Sequence, residues 1–208
     1  MRTTPIERKP INSPSRTICW TPTWNKNQEG VGLEHLLLAE HVADSVVLAF
    51  DEDSGPFRLT YRLNWDASWQ LRDAELSVAA ECLSRSLSLQ TDGQGHWRHR
   101  DGEAIDDLDG CLDIDIWPTP FTNSFPIRRE PMDVGERRQF RVAWIFAPDL
   151  TVHMQSQAYT RLGDRLYLFE NLDGQRLQGR ACRGRRRHRP GLSGAVPASE
   201  MTQPTGRE

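Results

Sequence analysis

Apolar and polar side chains alternate with a period of two along most of the chain. The clearest case is the segment 57–65, FRLTYRLNW, in which every second residue from Phe57 to Trp65 is apolar. The same rhythm returns at 74–78, 83–89, 140–146 and 152–154. Because successive side chains of a β-strand point to opposite faces, these segments are predicted to be strands. Each strand would have one face in a core and the other in water or a polar cavity.

Turn-forming residues separate the predicted strands. They lie in DEDSGP at 51–56, TDGQG at 91–95 and RDGE at 100–103. Strands at short spacing joined by tight turns predict an antiparallel meander, so the fold class is mainly β. No long segment has a convincing helical period; a short helical turn is weakly signalled around 103–109 and in the loop 118–127.

The two ends of the chain lack this alternation. Residues 1–16 contain three prolines and several charges, and residues 175–208 are rich in Arg, Gly, Pro and Ser. Both ends are predicted to be disordered, which leaves a single β domain at 17–174.

The formal net charge of -3 divides unevenly between the domain and the C-terminal segment. Residues 175–208 hold eight arginines and two acidic residues, whereas residues 1–174 hold 18 basic and 27 acidic residues, a net of -9. An acidic domain disfavours nonspecific nucleic-acid binding, so no nucleic-acid partner is expected. The run GRACRGRRRHR at 179–189 could bind RNA or acidic lipid. The preferred interpretation is an unselected tail left by a reading-frame shift near codon 175.

The cysteines and the N-terminus point to a cytoplasmic protein. The four cysteines form no CxxC pair and no zinc-type spacing, so they are interpreted as reduced, mostly buried thiols. The N-terminus shows no secretory signal, and no run approaches the roughly 18 apolar residues of a membrane helix. No cofactor is expected, since no phosphate loop is present and the HxxH of His96 and His99 is a weak metal signal.

The segment 110–129, GCLDIDIWPTPFTNSFPIRR, carries the densest candidate chemistry. Asp113 and Asp115 are two apart in a predicted strand, so both carboxylates lie on one face, about 7 Å apart. They could bind sugar hydroxyls, act as a general acid and base, or hold a divalent cation. The alternative is a solvated face, or a buried pair neutralised by arginine.

The end of the same segment supplies two arginines and a polar loop. In an extended segment Arg128 and Arg129 would point to opposite faces, so one could form a bidentate pair with a carboxylate and the other would face solvent or ligand. Thr122 and Asn123 supply neutral donors and acceptors that suit a hydroxyl-rich ligand, or equally well the capping of a turn.

Aromatic residues elsewhere are candidate ligand contacts or core residues. Trp65 is on the apolar face of its strand, which favours the core; Trp69, between Asp66 and Arg72, is the better candidate for a pocket. Arg72 could meet one of the aspartates.

Four segments carry a resemblance to a known family: YRLNWDASWQLRDAEL at 61–76, DGQGHWRHRDGE at 92–103, LDGCLDIDIWPTPFTNSFPIRR at 108–129 and AYTRLGDRLYLFEN at 158–171. From about Ile18 to Leu172 the chain resembles the DUF1089 family of bacterial proteins, also called "putative glycolipid-binding". The resemblance implies a single β-rich domain, a curved antiparallel sheet or β-roll around an internal space, and a glycolipid as candidate ligand. The Arg-rich tail departs from the family, whose members continue with further strands.

The leading hypothesis is noncatalytic binding of an amphiphile, a glycolipid, in a polar concavity. One alternative is a hydrolase or isomerase that acts on a carbohydrate-like small molecule through the two aspartates, which a carboxylate with a raised pKa would favour. The other is a structural or interaction protein without a small ligand. The residues predicted to contact the ligand are Tyr61, Trp69, Arg72, Asp113, Asp115, Thr122, Asn123 and Arg128.

Overall fold

The computed structural model describes residues 16–21, 32–51, 53–81, 83–173 and 195–197. The predicted disordered ends lie outside the described residues, apart from Arg16, which opens the first strand, and 195–197, which form the last.

Seven strands form a meander, sheet A, in which each strand pairs with the next along the chain. All six pairings are antiparallel, and the turn signals at 51–56 and 91–95 lie at or between strand ends, as predicted. The strands are β1 Arg16–Trp20, β2 Gly32–Leu38, β3 Val42–Asp51, β4 Gly55–Trp65, β5 Leu71–Ala80, β6 Ser84–Thr91 and β7 Trp97–His99.

Five strands form a second sheet, sheet B, which curls into a half-barrel. Its order is β12-β11-β10-β9-β8. The strands are β8 Asp113–Trp117, β9 Arg137–Phe146, β10 Thr151–Gly163, β11 Leu166–Asn171 and β12 Ala195–Pro197. The predicted mainly β, antiparallel fold is therefore confirmed.

One pairing, between β8 and β9, is parallel. Parallel neighbours require a crossover, because the chain must return to the end from which it started. Residues 118–136 make that crossover and contain a 3-10 helix, Phe121–Asn123, followed by α1, Ser124–Arg129. A second 3-10 helix spans Asp106–Leu108. Both weakly signalled helical turns are thus present.

The main core fills the space between the two sheets. The apolar face of β4 is buried there as predicted, and Ile114 and Ile116 of β8 pack against it from sheet B. Side chains of β8 alternate in direction, so Asp113 and Asp115 lie on the opposite face. We call this the outer face of sheet B. A smaller apolar cluster lies on it, formed by Met132, Phe140, Val142, Trp144 and Tyr159.

Candidate functional site

Asp113 is closed by an ion pair. Its two carboxylate oxygens accept hydrogen bonds from Nε of Arg129 at 3.0 Å and from Nη2 at 2.8 Å. Only 1% of Asp113 is exposed. Burial raises the pKa of the Asp113 carboxyl, and the guanidinium of Arg129 lowers it in part. Arg129 also contacts Glu130, whose second oxygen accepts from Arg138 at 3.3 Å. The predicted bidentate pair therefore forms, and it belongs to a larger ionic network.

The two arginines lie in helix α1, so the extended segment considered for them is not formed. Pro126 does not prevent the helix because it lies in the first turn, where its missing N–H has no intrahelical partner. Arg128 points away from Arg129, and its guanidinium carbon lies 4.7 Å from the ring centroid of Trp69. Arg128 is exposed and does not join Asp113 and Asp115.

Asp115 is held in a different way. One carboxylate oxygen accepts from the hydroxyl of Thr122 at 3.0 Å, and the other accepts from Nε2 of Gln157 at 2.6 Å. Thr122 comes from the crossover, and its oxygen also accepts from the backbone N–H of Ile116 at 3.2 Å. Gln157 reaches Asp115 from β10 diagonally across the intervening β9, since Gln157 pairs with Phe140 and Asp115 with Trp144. Asp115 thus joins the crossover to the middle of sheet B.

The hydrogen-bond network continues beyond Asp115. Nε2 of Gln157 also donates to Oε1 of Gln155 at 2.8 Å. The hydroxyl of Tyr159 lies 2.9 Å from Oδ1 of Asn123 and 3.2 Å from Oε1 of Gln157. We call the set the polar cluster; its members are Asp115, Thr122, Asn123, Gln155, Gln157 and Tyr159.

The polar cluster contains one ionisable carboxyl and, among the described residues, no cation in contact with it. Burial raises the pKa of Asp115, and the bonds from Gln157 and Thr122 lower it in part. Burial also raises the pKa of Tyr159 well above its ordinary value, so its hydroxyl keeps its hydrogen. Asp115 and Asn123 are partly exposed, whereas Gln155 and Gln157 are buried. Neutral groups therefore surround the carboxyl of a residue that is itself partly exposed.

Aromatic rings form a row beside the polar cluster. The ring centroids are 5.1 Å apart for Trp117 and Phe146, 5.8 Å for Phe146 and Trp144, and 4.9 Å for Trp144 and His153. The register of sheet B places Asp115, Trp144 and His153 side by side across three strands. We call these four rings the aromatic row. Trp117 and Phe146 are partly exposed and His153 is exposed, so apolar ring surface lies next to Asp115.

A second buried carboxylate, Glu34, lies in the main core. It accepts four hydrogen bonds, from the indole of Trp20 at 2.6 Å and from the hydroxyls of Ser45, Tyr61 and Thr119 at 2.7, 2.6 and 3.0 Å. Both Glu34 and Tyr61 are 0% exposed. Burial raises the pKa of Glu34, and it raises that of Tyr61 well above its ordinary value. The structure therefore places Tyr61 in a sealed network away from the outer face of sheet B.

Trp69 and Arg72 lie at one end of sheet A and do not reach the aspartates. Trp69 stacks on Trp65 at 5.1 Å and also contacts Phe125 and Arg128. Arg72 bonds to Asp66 at 2.5 Å and to the backbone carbonyl of Asp92. These contacts fix two neighbouring turns. Of the eight predicted residues, only Asp115, Thr122 and Asn123 meet in one hydrogen-bonded cluster, with Asp113 beside them in the same strand.

Comparison with known proteins identifies the family of this chain. The family model described as "Putative glycolipid-binding" matches residues 21–178. The chain belongs to this family. A crystal structure of a DUF1089 family protein from Pseudomonas aeruginosa is 48% identical, with a TM-score of 0.68. The match covers 75% of this chain and 84% of that chain. No curated protein matches the chain.

Several residues of the site, all within the matched region, were not predicted from the sequence. Gln155, Gln157 and Tyr159 occupy alternate positions of β10, and that alternation was the available signal. Glu34 could not be recognised, because LEHLLL gives no sign that its acidic residue is buried. Its partner Thr119 is 85 residues away in the chain.

Other side chains of this DUF1089 domain offer little reactive chemistry. Cys111 is buried, which raises the pKa of its thiol to about 11, so the thiol is protonated and unreactive at neutral pH. Cys19 is exposed, and Cys82 and Cys182 lie outside the described residues, so the expectation of mostly buried thiols stays a prediction. In the described ranges, no group of three or more His, Cys, Asp or Glu residues could hold a metal ion. No helix there is long and apolar enough to cross a membrane.

Proposed function

We propose that this protein binds an amphiphile, a glycolipid, without catalysis, on the outer face of sheet B. The observation that carries the proposal is Asp115, a partly exposed carboxyl held only by neutral donors beside a row of aromatic rings. The description of the family supports the same class of ligand.

The two parts of the site suit the two parts of an amphiphile. Amide and hydroxyl groups of the polar cluster both donate and accept, which matches the hydroxyl groups of a sugar. The aromatic row offers the flat apolar surface on which sugar rings or acyl chains pack. Asp115 and Trp144 are paired neighbours in the register of sheet B, so one ligand could touch both parts.

Catalysis by a pair of aspartates has less support. Asp113 is closed by Arg129, so it cannot serve as acid, base or nucleophile without breaking a bidentate pair. The raised pKa of Asp115 does favour the alternative of a hydrolase or isomerase in which Asp115 acts alone as the acid.

Native mass spectrometry with lipid extraction, on the protein purified from its own host, tests the proposal. We expect a co-purifying amphiphile that is lost from the variants Asp115→Asn and Asn123→Ala. The control Asp107→Asn changes an exposed carboxylate that belongs to neither the polar cluster nor the aromatic row, and it should retain the amphiphile. A well-folded wild-type protein that carries no amphiphile, and that hydrolyses or isomerises a sugar derivative in an Asp115-dependent way, would replace binding with catalysis.

A further inference from the structure

The arginines on the outer face of sheet B are engaged by the protein itself. Among the described residues, three reach this face. Arg129 bonds to Asp113 and Glu130, and Arg138 bonds to Glu130 and Glu136. Arg161 donates to the backbone carbonyls of Met132 at 2.7 Å and Gly163 at 3.1 Å, with Asp164 at 3.8 Å.

The charges of this region sum to a negative value. With the exposed Arg165 beside Asp164 included, five carboxylates stand against four guanidiniums, a formal net of -1; the carboxylates are Asp113, Asp115, Glu130, Glu136 and Asp164. Sites for phosphate, sulfate or carboxylate groups normally present free arginines or backbone N–H groups to the anion. An anion beside Asp115 would instead be desolvated next to a like charge, which is unfavourable.

The polar cluster still has unused hydrogen-bond donors and acceptors, which suit a ligand group that both donates and accepts. The single hydroxyl hydrogen of Tyr159 faces two carbonyl oxygens, on Asn123 and Gln157, and can bond fully to only one of them. The other oxygen therefore has room for a further donor. Among the described residues, Nδ2 of Asn123 and Nε2 of Gln155 have no acceptor. A sugar hydroxyl can donate to the unused carbonyl oxygen and at the same time accept from an unused amide N–H group.

We infer that the headgroup recognised here is an uncharged sugar, so that the ligand is a neutral glycosyl lipid rather than a lipid bearing phosphate, sulfate or carboxylate. This inference rests on the binding function proposed above. Asp115 is the residue that sets the selectivity, because it accepts from sugar hydroxyls and repels anions.

Titration calorimetry on the full chain tests the inference with three probes that share one octyl chain and are used below their micelle concentrations. The probes are octyl β-D-glucoside, octyl phosphate and octyl tetraethylene glycol ether. We expect the glucoside to bind about tenfold more tightly than either of the others, since a net gain of one or two hydrogen bonds corresponds to about that factor. Asp115→Asn should lower the ratio of the glucoside affinity to the phosphate affinity by about fivefold or more. The substitution removes the negative charge that repels the phosphate and one acceptor oxygen for the sugar.

The outcomes keep the neutral-sugar inference and the proposed amphiphile binding distinguishable. Asp107→Asn should leave the preference unchanged, which controls for the loss of one carboxylate from the whole molecule. Equal binding of glucoside and phosphate, or tighter binding of phosphate, would overturn the neutral-sugar inference and leave amphiphile binding intact. Equal binding of all three probes would also overturn it, since the octyl chain alone would then account for affinity. No heat with any probe at either of two temperatures would overturn both claims, since burial of apolar surface makes the binding enthalpy change with temperature.

Discussion

The carboxyl groups of Asp113, Glu34 and Asp115 are held in three different ways, and the difference separates their roles. Asp113 has a bidentate guanidinium, Glu34 has four neutral donors in a sealed core, and Asp115 has two neutral donors in a partly exposed residue. A carboxyl that is already fully bonded has no capacity for a ligand. Asp115 is the one of the three that combines spare acceptor capacity with access.

Tyr61→Phe is expected to lower the free energy of unfolding by about 1.5–3 kcal/mol at neutral pH, because a hydrogen bond to a charged acceptor is lost while the ring still fills its space. Urea denaturation measures the change. Tyr167→Phe removes a hydroxyl from a half-buried ring and should change stability by less than about 0.5 kcal/mol. Weaker ligand binding without loss of stability in Tyr61→Phe would contradict its placement in a structural network.

Asp113→Asn is expected to lower the free energy of unfolding by about 3 kcal/mol, because the buried Arg129 loses its bidentate partner. The double variant Asp113→Leu/Arg129→Met removes both charges and should recover most of that loss. Urea denaturation of the two variants and the wild type provides the comparison. A double variant as unstable as the single one would mean that the unpaired charge is not the cause.

The crossover at 118–136 is the element that organises the site. Within a few residues it delivers Thr119 to Glu34 in the core, Thr122 to Asp115 on the outer face, and Arg129 to Asp113. The alternation of residues 112–116 predicted that Asp113 and Asp115 share a face and that the isoleucines enter the core. The pattern signalled the helix that follows only weakly, since the apolar residues of WPTPFTNSFPIRR cover too short a segment to show a helical period and three prolines interrupt them.

The two threonines of the crossover should therefore respond differently to substitution. Thr122→Val removes a donor to Asp115, so the affinity for the octyl glucoside probe should fall several-fold, and stability by about 1 kcal/mol. Thr119→Val removes a donor to Glu34, so stability should fall by a similar amount while affinity stays within about twofold. Calorimetry and urea denaturation on both variants measure these effects. An equal loss of affinity in both would indicate a general disturbance of the crossover.

At the scale of the whole molecule, local patterns predicted the strands well and the long-range contacts poorly. Alternation identified both faces of β4, and turn residues identified the ends of hairpins, because those signals act between neighbours in the chain. The polar cluster joins β8, the crossover and β10, and Asp115 meets Gln157 across 42 residues. No local pattern encodes that pairing, nor the parallel register that makes it possible.

The stability of the whole molecule should fall as the pH rises above about 4. The pKa values of Glu34, Asp113 and Asp115 are raised by burial, so above their ordinary values near 4 the folded state still holds protons that the unfolded chain has released. The stability contributed by these three protonated carboxyl groups is lost as the pH rises through their pKa values in the folded state. In the opposite direction, Asp92, whose pKa is lowered to about 2, contributes stability that is lost as the pH falls toward that value.

Urea denaturation between about pH 2 and pH 8 checks this prediction, and the midpoint should pass through a maximum on the acidic side of neutrality. Above the maximum, the urea midpoint of the variant Asp115→Asn should fall less steeply with pH than that of the wild type, whereas the midpoint of Asp107→Asn should fall as steeply as that of the wild type. A midpoint that rises steadily to pH 8 would contradict the raised pKa values.

The contact between Glu34 and Thr119 also has a consequence for the order of folding. Sheet A pairs only strands adjacent in sequence, so its hairpins can form one after another with little loop entropy to overcome. The bond that ties β2 to the crossover spans 85 residues, so we expect it to close later than the hairpins of sheet A. The crossover also carries Thr122 and Asn123 to the polar cluster, and we therefore expect ligand affinity to arise late in refolding, after most of the strand signal has been regained.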